Sequence, residues 1–148
     1  MLVDLERNDL GRVCRPGSVR VTETTGIEKY SHVMHIVSQV EGRLLRGKTA
    51  ADALRALFPG GTITGCPKIR SIEIIEGLEP VLRGPFYGSA GFFRWNGDAV
   101  FNILIRTALL HNETLTIQAG AGIVADSNAD REYREVLAKA QALIKASS

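Results

Sequence analysis

One stretch near the end of the chain constrains the fold most: a strand-like run, two glycines and a long amphipathic helix. Thr114–Gln118 alternates polar and apolar residues, which predicts a strand. Gly120 and Gly122 follow, and because they carry no side chains they leave backbone N–H groups uncovered. Ser127, with Asp130 three residues later, predicts a capping-box-like helix start. Together these features predict the wall of an active site.

The predicted helix carries a charged pair beside its apolar face. Glu135 and Lys139 are four residues apart and therefore share one stripe of the helix. A carboxylate and an ammonium at the rim of a glycine-lined strand end could hold a metal ion and an anionic substrate. The alternative is a surface pair worth about 0.3–0.5 kcal/mol. The face predicted to be buried consists of Tyr133, Val136, Leu137, Ala140, Leu143 and Ile144.

The middle of the chain predicts three successive antiparallel strands. Phe86–Phe93 and Ala99–Leu110 flank Asn96-Gly97, the strongest short hairpin signal. A second turn at His111-Asn112 leads to the strand that begins at Thr114. We therefore expect an α+β fold in which helices flank an antiparallel sheet.

Two side chains in this β region are candidates for ligand contact. Arg106 lies inside an apolar run, where a guanidinium needs an anionic partner, either a protein carboxylate or a substrate carboxylate. Tyr87 is either a packed aromatic of the sheet or a ligand contact through its hydroxyl.

The first part of the chain predicts a hairpin and then a helix. Arg12–Cys14 and Val19–Glu23 are β-like runs on either side of the turn dipeptide Pro16-Gly17. The apolar residues of Glu28–Leu45 fit helical spacing. His35 lies within that predicted helix, as a hydrogen-bonded core or boundary histidine or as a catalytic one.

Two shorter helices are predicted next. Thr49 and Asp52 form a capping-box-like start for a helix through Leu57. Thr62–Thr64 could be extended, and Pro67 stands where a first helical residue belongs.

The helix after Pro67 has cations in its first turn. Lys68 and Arg70 are unfavourable to the helix dipole there, but with the exposed N–H groups they would attract an anion. The buried stripe of that helix is expected to be Ile69, Ile72, Ile75 and Leu78.

Composition limits the class of protein. With 148 residues, 45% of them hydrophobic, the chain can form one globular unit over residues 1–148. The net charge of +2 comes from 18 basic and 16 acidic residues without a basic run, so nucleic acid is not expected as a partner. Because the sequence shows neither a leader nor a long apolar run, we expect neither secretion nor a membrane partner. The two cysteines are far apart, which favours a cytoplasmic protein with reduced thiols.

Two glycine-rich segments imitate nucleotide-binding motifs without meeting their requirements. Gly120–Ala125 follows a strand, but the predicted helix starts late and no acidic residue follows at the required distance. Gly60–Lys68 lacks the Gly-Lys-Ser/Thr of a phosphate-binding loop.

Five segments in order resemble the C-terminal part of the chorismate-binding enzymes, and the resemblance covers essentially the whole chain. The segments are Leu2–Arg12, Tyr30–Ser38, Gly61–Arg70, Asn102–Thr107, and Gln118–Ser127 followed by Glu135–Lys139. This family includes aminodeoxychorismate, anthranilate, isochorismate and salicylate synthases, and its members use Mg²⁺ and chorismate. The implied fold is the closing part of a domain of packed antiparallel sheets flanked by helices.

The resemblance implies a role for each matching site residue. Glu135 would be a carboxylate on the Mg²⁺ that grips the ring carboxylate of chorismate, and Lys139 would contact the same region. His35 would lie beside the substrate ring. Thr62, with the loop up to Lys68, would form part of the pocket wall.

A second set of residues is implied for the enolpyruvyl carboxylate of the substrate. Arg106 and the backbone around Gly120 and Gly122 would cradle this group, and Tyr87 would line the same region. Cationic and N–H donors would thus meet a dianion, and the metal ion would complete the clamp.

The sequences of Asp4–Arg12 and Phe58–Lys68 resemble the corresponding segments of aminodeoxychorismate synthase component I. The sequence of Tyr30–Ser38 resembles anthranilate synthase equally well. The first resemblance implies that ammonia replaces the C4 hydroxyl of chorismate and gives 4-amino-4-deoxychorismate for folate synthesis. A glutamine amidotransferase subunit would supply the ammonia.

Members of the family are much longer than this chain. The resemblance therefore implies an upstream segment with a further metal-binding glutamate and a Pro-Ile-x-Gly-Thr motif, and apolar surface that this segment would cover. The alternative hypothesis is a protein that binds an anionic ligand or a partner without catalysis.

Overall fold

A computed structural model describes residues 2–29 and 34–147, and the chain divides into two compact units. Unit 1 comprises residues 1–82 and 90–102, and unit 2 comprises residues 83–89 and 103–148. The described residues form helices and three two-stranded sheets, so the predicted α+β class is confirmed. That residues 1–148 belong to one domain of the family stays a prediction.

Unit 1 begins with a helix and a long hairpin. Helix α1 spans Leu2–Gly11, and strands β1 (Arg20–Lys29) and β2 (Met34–Glu41) pair antiparallel. The prediction of a helix over Glu28–Leu45 is therefore wrong. Val37 and Val40 are β-branched residues that fit a strand as well as a helix, and pairing with β1 decides between the two.

The predicted partner of the first β-like run is also wrong. Cys14 forms an isolated antiparallel bridge with Leu44, while the run from Val19 extends into β1 and pairs with β2 instead. Val13 and Cys14 are buried, at 7% and 3% exposure, and they form the apolar centre of unit 1 within the described chain.

Three short helices follow in unit 1. Helix α2 spans Ala50–Leu57, and its predicted capping box is confirmed by reciprocal hydrogen bonds between Thr49 and Asp52. The segment predicted to be extended is instead the short helix α3, Gly61–Thr64.

Helix α4 spans Lys68–Leu78, so Pro67 is its N-cap and lies one position earlier than predicted. The predicted buried stripe of α4 is wrong, since none of its residues is buried and Ile69 and Leu78 are 74% and 78% exposed. Neither side chain is covered by the described part of the chain.

The Asn96-Gly97 hairpin is confirmed. Strands β3 (Ser89–Phe93) and β4 (Ala99–Ile103) pair around it. Gly97 has φ +92°, and the turn closes with a hydrogen bond of 3.0 Å from its N–H to the carbonyl of Arg94.

Unit 2 contains a second hairpin and the last helix. Strands β5 (Ala108–His111) and β6 (Thr114–Ile117) pair antiparallel around the predicted turn. Helix α5 spans Ala129–Ala146. The single strand predicted over Ala99–Leu110 is in fact β4 and β5, separated by the irregular residues 104–107.

The apolar face of α5 differs from the expectation. Tyr133, Leu137 and Ile144 are 64%, 50% and 52% exposed. The helix therefore forms with its amphipathic pattern, but much of its apolar face lies open. Within residues 2–29 and 34–147, no helix has the length and apolar character needed to cross a membrane.

Candidate substrate-binding site

The start of α5 is fixed by local hydrogen bonds. Asn128, rather than Ser127, is the N-cap, because its side-chain oxygen accepts from the backbone N–H of Arg131 at 3.2 Å. The Ser127 hydroxyl instead donates to Glu132 Oε1 at 2.8 Å and accepts from the N–H of Val124 at 3.1 Å. These bonds connect the loop after β6 to the first turn of the helix.

Glu135 and Lys139 form an ion pair on α5. Lys139 Nζ lies 2.6 Å from Glu135 Oε1, and the two side chains are 31% and 53% exposed. The hydrogen bond and the positive charge of Lys139 lower the pKa of the Glu135 carboxyl below its ordinary value. Glu135 is therefore a carboxylate at neutral pH, available to a cation.

Lys139 also reaches the glycine segment. Its ammonium donates to the backbone carbonyl of Gly120 at 3.4 Å. The pair with Glu135 is thus more than an isolated contact along one helix, since it links α5 to the chain that leaves β6. This placement brings Glu135, Lys139 and Gly120 together, as the sequence predicts.

Tyr87 packs against the same glycine. An ideal β-carbon at Gly120 would lie 2.8 Å from the Tyr87 hydroxyl oxygen. Around Gly122, in contrast, such a carbon would meet nothing within 4 Å. Gly120 is therefore required for close approach, whereas Gly122 faces open space in which a ligand could reach the backbone.

Tyr87 is held in a turn and not in the strand predicted from Phe86 to Phe93. Its φ is +62°, and its N–H donates to the carbonyl of Leu104 at 2.9 Å. Its ring stacks on Phe86 with centroids 3.8 Å apart, and the Arg83 guanidinium lies 5.0 Å from its centroid. The ring is thereby fixed with its hydroxyl at Gly120.

Arg106 lies in the irregular segment between β4 and β5, with φ +50°. The sequence predicts that Arg106 lies inside an apolar strand, but its side chain is exposed, so burial does not require an anionic partner for its guanidinium. The positive φ of Arg106 changes the direction of the backbone between β4 and β5.

The remaining two predicted site residues lie in unit 1. Thr62 is an exposed residue of the short helix α3. His35 lies in β2, where its Cα pairs with that of Glu28, so its placement in a helix is wrong. Of the predicted set, unit 2 therefore holds Tyr87, Arg106, Gly120, Gly122, Glu135 and Lys139.

The cations at the start of α4 are paired within the protein. Lys68 Nζ lies 2.8 Å from Asp9 Oδ2, and Arg70 Nη1 lies 2.9 Å from Glu73 Oε2. The anion site predicted from these cations is therefore not supported, because each already has a carboxylate partner.

Glu132 is a further candidate metal ligand, outside the set predicted from the sequence. It lies three residues before Glu135 and therefore on the same side of α5. The Glu-x-x-Glu spacing was the signal that could have identified it.

The carboxylates of α5 fit only part of a magnesium shell. Mg²⁺ is usually bound by one or two carboxylates, with water and substrate oxygens completing the octahedron. Glu135 and Glu132 have the appropriate hard oxygen donors. No cluster of three or more His, Cys, Asp or Glu side chains suited to a metal occurs among the described residues, so other oxygen donors would have to complete the shell.

Comparisons with known proteins agree over nearly the whole chain. The family described as chorismate binding enzyme matches residues 1–145. An anthranilate synthase component I-like protein of Synechocystis is 60% identical over 99% of this chain and 30% of its own length. The aminodeoxychorismate synthase component 1 of Bacillus subtilis is 58% identical, and the anthranilate synthase component 1 of Mycolicibacterium smegmatis is 56% identical. The chain covers 31% and 28% of these two relatives.

A solved structure gives the same result for the fold. The crystal structure of anthranilate synthase component I from Streptococcus pneumoniae matches with a TM-score of 0.90 and 48% identity. This match covers 97% of the chain and 33% of the solved protein. The chain thus spans about a third of the length of the proteins it resembles.

Proposed function

Because the chain belongs to the chorismate-binding enzymes, we propose that it provides part of the substrate- and metal-binding site of an enzyme that aminates chorismate. The observation that carries this proposal is the position of Lys139, which contacts both the Glu135 carboxylate and the Gly120 carbonyl. A cation, a carboxylate and the backbone carbonyl of a glycine therefore meet at one place in unit 2. Such a place suits a metal-bound organic anion.

Each candidate site residue in unit 2 has a role in this proposal. Lys139 attracts the carboxylate of chorismate and neutralises Glu135 while the substrate is absent. Arg106 and the backbone N–H groups near Gly122 receive the second carboxylate, since both are exposed. Tyr87 holds Gly120 in place and lines the same region.

Glu135, with Glu132 beside it, would hold the Mg²⁺ ion that the family implies. When bound, the ion supplies positive charge to the substrate carboxylate and fixes its position. Lys139 remains beside Glu135 and balances the negative charge of the two carboxylates. His35 and Thr62 are proposed as the catalytic residue beside the ring and as part of the pocket wall, respectively.

The proposed chemistry is displacement or elimination driven by ammonia. Attack at C4 with loss of the hydroxyl as water gives 4-amino-4-deoxychorismate. Attack at C2 with loss of water and then pyruvate gives anthranilate. The sequence of Phe58–Lys68 favours 4-amino-4-deoxychorismate as the product. The names of most of the relatives favour anthranilate.

A glutamine amidotransferase is the proposed source of ammonia. The relatives are named as component 1 of their synthases, which implies a second component. We expect the complete complex to work in the cytoplasm.

The test uses the natural gene product with chorismate, Mg²⁺ and ammonium, and separates the products by chromatography. Formation of 4-amino-4-deoxychorismate or anthranilate supports the proposal and identifies the carbon that is aminated. We expect Glu135→Gln and Lys139→Met to lower kcat/KM by about 10²-fold or more. Lys145→Gln, on the same helix but in its last turn, is the matched control and keeps activity near that of the wild type.

Saturable chorismate binding without any product would favour the alternative, a binding protein without catalysis. Absence of both binding and product would refute the proposal. A control reaction without Mg²⁺ tests the metal requirement separately, because substrate affinity should then fall even when ammonium is saturating.

A further inference from the structure

Unit 1 contains an enclosed ion pair to which the proposed function assigns no role. Lys68 Nζ lies 2.8 Å from Asp9 Oδ2, and the two side chains are only 17% and 7% exposed. The same ammonium donates to the backbone carbonyls of Ala56 at 3.3 Å and Leu57 at 3.4 Å. An ammonium has three donors, so these contacts can satisfy all of them.

The pair joins separate parts of unit 1. Asp9 belongs to α1, the two carbonyls belong to the last turn of α2, and Lys68 begins α4. The segment between α2 and α4, which contains α3, is therefore fixed at both of its ends by one side chain.

The short helix α3 packs directly on the acidic partner. An ideal β-carbon at Gly61 would lie 3.0 Å from the Leu5 Cβ and 3.4 Å from Asp9 Oδ2. Thr64 is buried and its hydroxyl donates to the carbonyl of Gly60 at 3.3 Å. Thr62, between these two anchored residues, keeps an exposed side chain.

An enclosed ion pair is a poor source of net stability, because removing two charges from water offsets most of their attraction. Apolar residues of similar size would hold α1 and α4 together as well or better. The Lys68 ammonium donates directional hydrogen bonds to three acceptors, and these fix the position of the backbone between α2 and α4. Apolar packing has no such directional preference.

We propose that Asp9 and Lys68 are positioning residues for Thr62, and that they hold α3 in the place where its exposed hydroxyl can contact chorismate. This inference rests on the proposed function, in which Thr62 forms part of the pocket wall. The pair touches no substrate itself and acts through the backbone of residues 61–65.

The experiment compares Lys68→Met, Asp9→Asn and the double variant Asp9→Ala/Lys68→Met in the natural gene product. Each single change leaves one buried charge uncompensated, so both variants should lose stability. We expect the KM for chorismate to rise about tenfold while kcat changes less than about threefold, as for the loss of a binding contact. Backbone N–H exchange at Ile63, Thr64 and Gly65 should accelerate in parallel.

The double variant separates positioning from stability. Because it removes both charges, its thermal stability should recover relative to the single variants. If the pair positions Thr62, KM stays raised and the exchange of residues 63–65 stays fast. If the role is merely structural, both return to wild-type values as stability returns, and the inference is overturned.

Two further variants guard against misleading outcomes. Lys68→Arg keeps the charge and should restore part of the affinity, even if Lys68→Met does not fold. Arg7→Gln removes an exposed pair with Asp4 on the same helix α1, with N–O distance 3.2 Å, and should change neither KM nor exchange. An active wild type whose KM is unchanged in the folded double variant overturns this inference alone, whereas an inactive wild type overturns the proposed function as well.

Discussion

The hydroxyl of Tyr87 occupies the space that a side chain at Gly120 would need. Its oxygen lies 2.8 Å from an ideal β-carbon at that glycine, and its ring carbons lie 3.4 and 3.5 Å away. The carbonyl of Gly120 meanwhile accepts from Lys139 Nζ at 3.4 Å. One residue without a side chain thus lies between an aromatic hydroxyl and the cation of the candidate site.

Replacing Gly120 with alanine should separate these two contacts. The new methyl group collides with the Tyr87 hydroxyl, so the tyrosine, the glycine segment or both must move. We expect the free energy of unfolding to fall by about 1–3 kcal/mol. Chorismate affinity should fall as well, because Lys139 loses its position relative to the backbone. Urea unfolding and chorismate titration measure the two effects.

Gly122→Ala is the control for stability, since an added β-carbon there meets nothing within 4 Å. We expect its free energy of unfolding to change by less than about 0.5 kcal/mol. Tyr87→Phe removes the colliding oxygen, so combining it with Gly120→Ala should cost less than the sum of the single changes. Purely additive costs would contradict the contact.

The ion pair of α5 predicts a second measurable effect. Lys139 lowers the pKa of Glu135, first through the hydrogen bond and then through its charge. The contribution of Glu135 to stability is therefore present above its unfolded pKa and is lost as the pH falls through its lower folded pKa. In Lys139→Met the titration of Glu135 should move to higher pH.

NMR titration of the Glu135 side-chain carboxyl measures this shift directly. Lys139→Arg is the matched control, because a guanidinium keeps the charge and should keep the pKa low. An unchanged Glu135 titration in Lys139→Met would show that the pair does not form in solution.

The features that could be predicted from the sequence depend on neighbouring residues. The Asn96-Gly97 turn needs only a backbone that accepts positive φ, and Gly97 provides it at +92°. The Thr49–Asp52 capping box likewise lies within four residues and forms as expected. Local chemistry decides such features before any distant contact is made.

The failed predictions depend on distant residues. The run from Met34 to Glu41 fits helical and strand spacing, and only its pairing with β1 selects the strand. The position of Lys68 at the start of a helix predicts an anionic ligand, but its ammonium donates to Asp9, which is 59 positions away in the sequence. No periodicity in the sequence indicates that contact.

The candidate site shows the same division. The spacing of Glu135 and Lys139 predicts that they share one side of the helix, and the structure shows them as an ion pair with Lys139 bonded to Gly120. That the two residues bind a metal ion and substrate stays a prediction. The backbone at Tyr87 and Arg106 could not be predicted, because both have positive φ in segments whose composition favours strands. Tertiary bonds such as that from Tyr87 to Leu104 override the local preference.

Glu6 on α1 provides a prediction about stability and pH. Burial first, and then the negative charge of Asp9, raise the pKa of its carboxyl, although Lys68 opposes this. A raised folded pKa means that the protonated form is favoured on folding, so this stability is complete below the unfolded pKa. It is lost as the pH rises through the folded pKa.

Glu6→Gln should therefore raise the melting temperature at pH 7, because glutamine carries no charge that burial disfavours. Below about pH 4 the effect should be small, since the glutamic acid of the wild type and the glutamine of the variant are then both neutral. Thermal unfolding across this pH range tests the expectation. Glu76→Gln, at an exposed position of α4, is the control for the substitution itself and should leave the melting temperature at pH 7 close to that of the wild type. A variant less stable than the wild type at pH 7 would show that ionised Glu6 is favourable.

The apolar face of α5 predicts how the purified 148-residue chain behaves in solution. Tyr133, Leu137 and Ile144 are each at least half exposed, although they repeat at the spacing of a buried helix face. A contiguous apolar surface of this kind binds hydrophobic dyes and favours self-association. We expect the chain to enhance the fluorescence of an anilinonaphthalene sulfonate dye. The double change Leu137→Gln/Ile144→Gln should weaken that fluorescence without loss of helical circular dichroism.

The control variant Lys145→Gln should leave the dye fluorescence unchanged, which excludes a simple charge effect on the anionic dye. A wild-type chain that binds no dye would mean that this face is covered in solution, for example by self-association, which sedimentation of the same sample would detect.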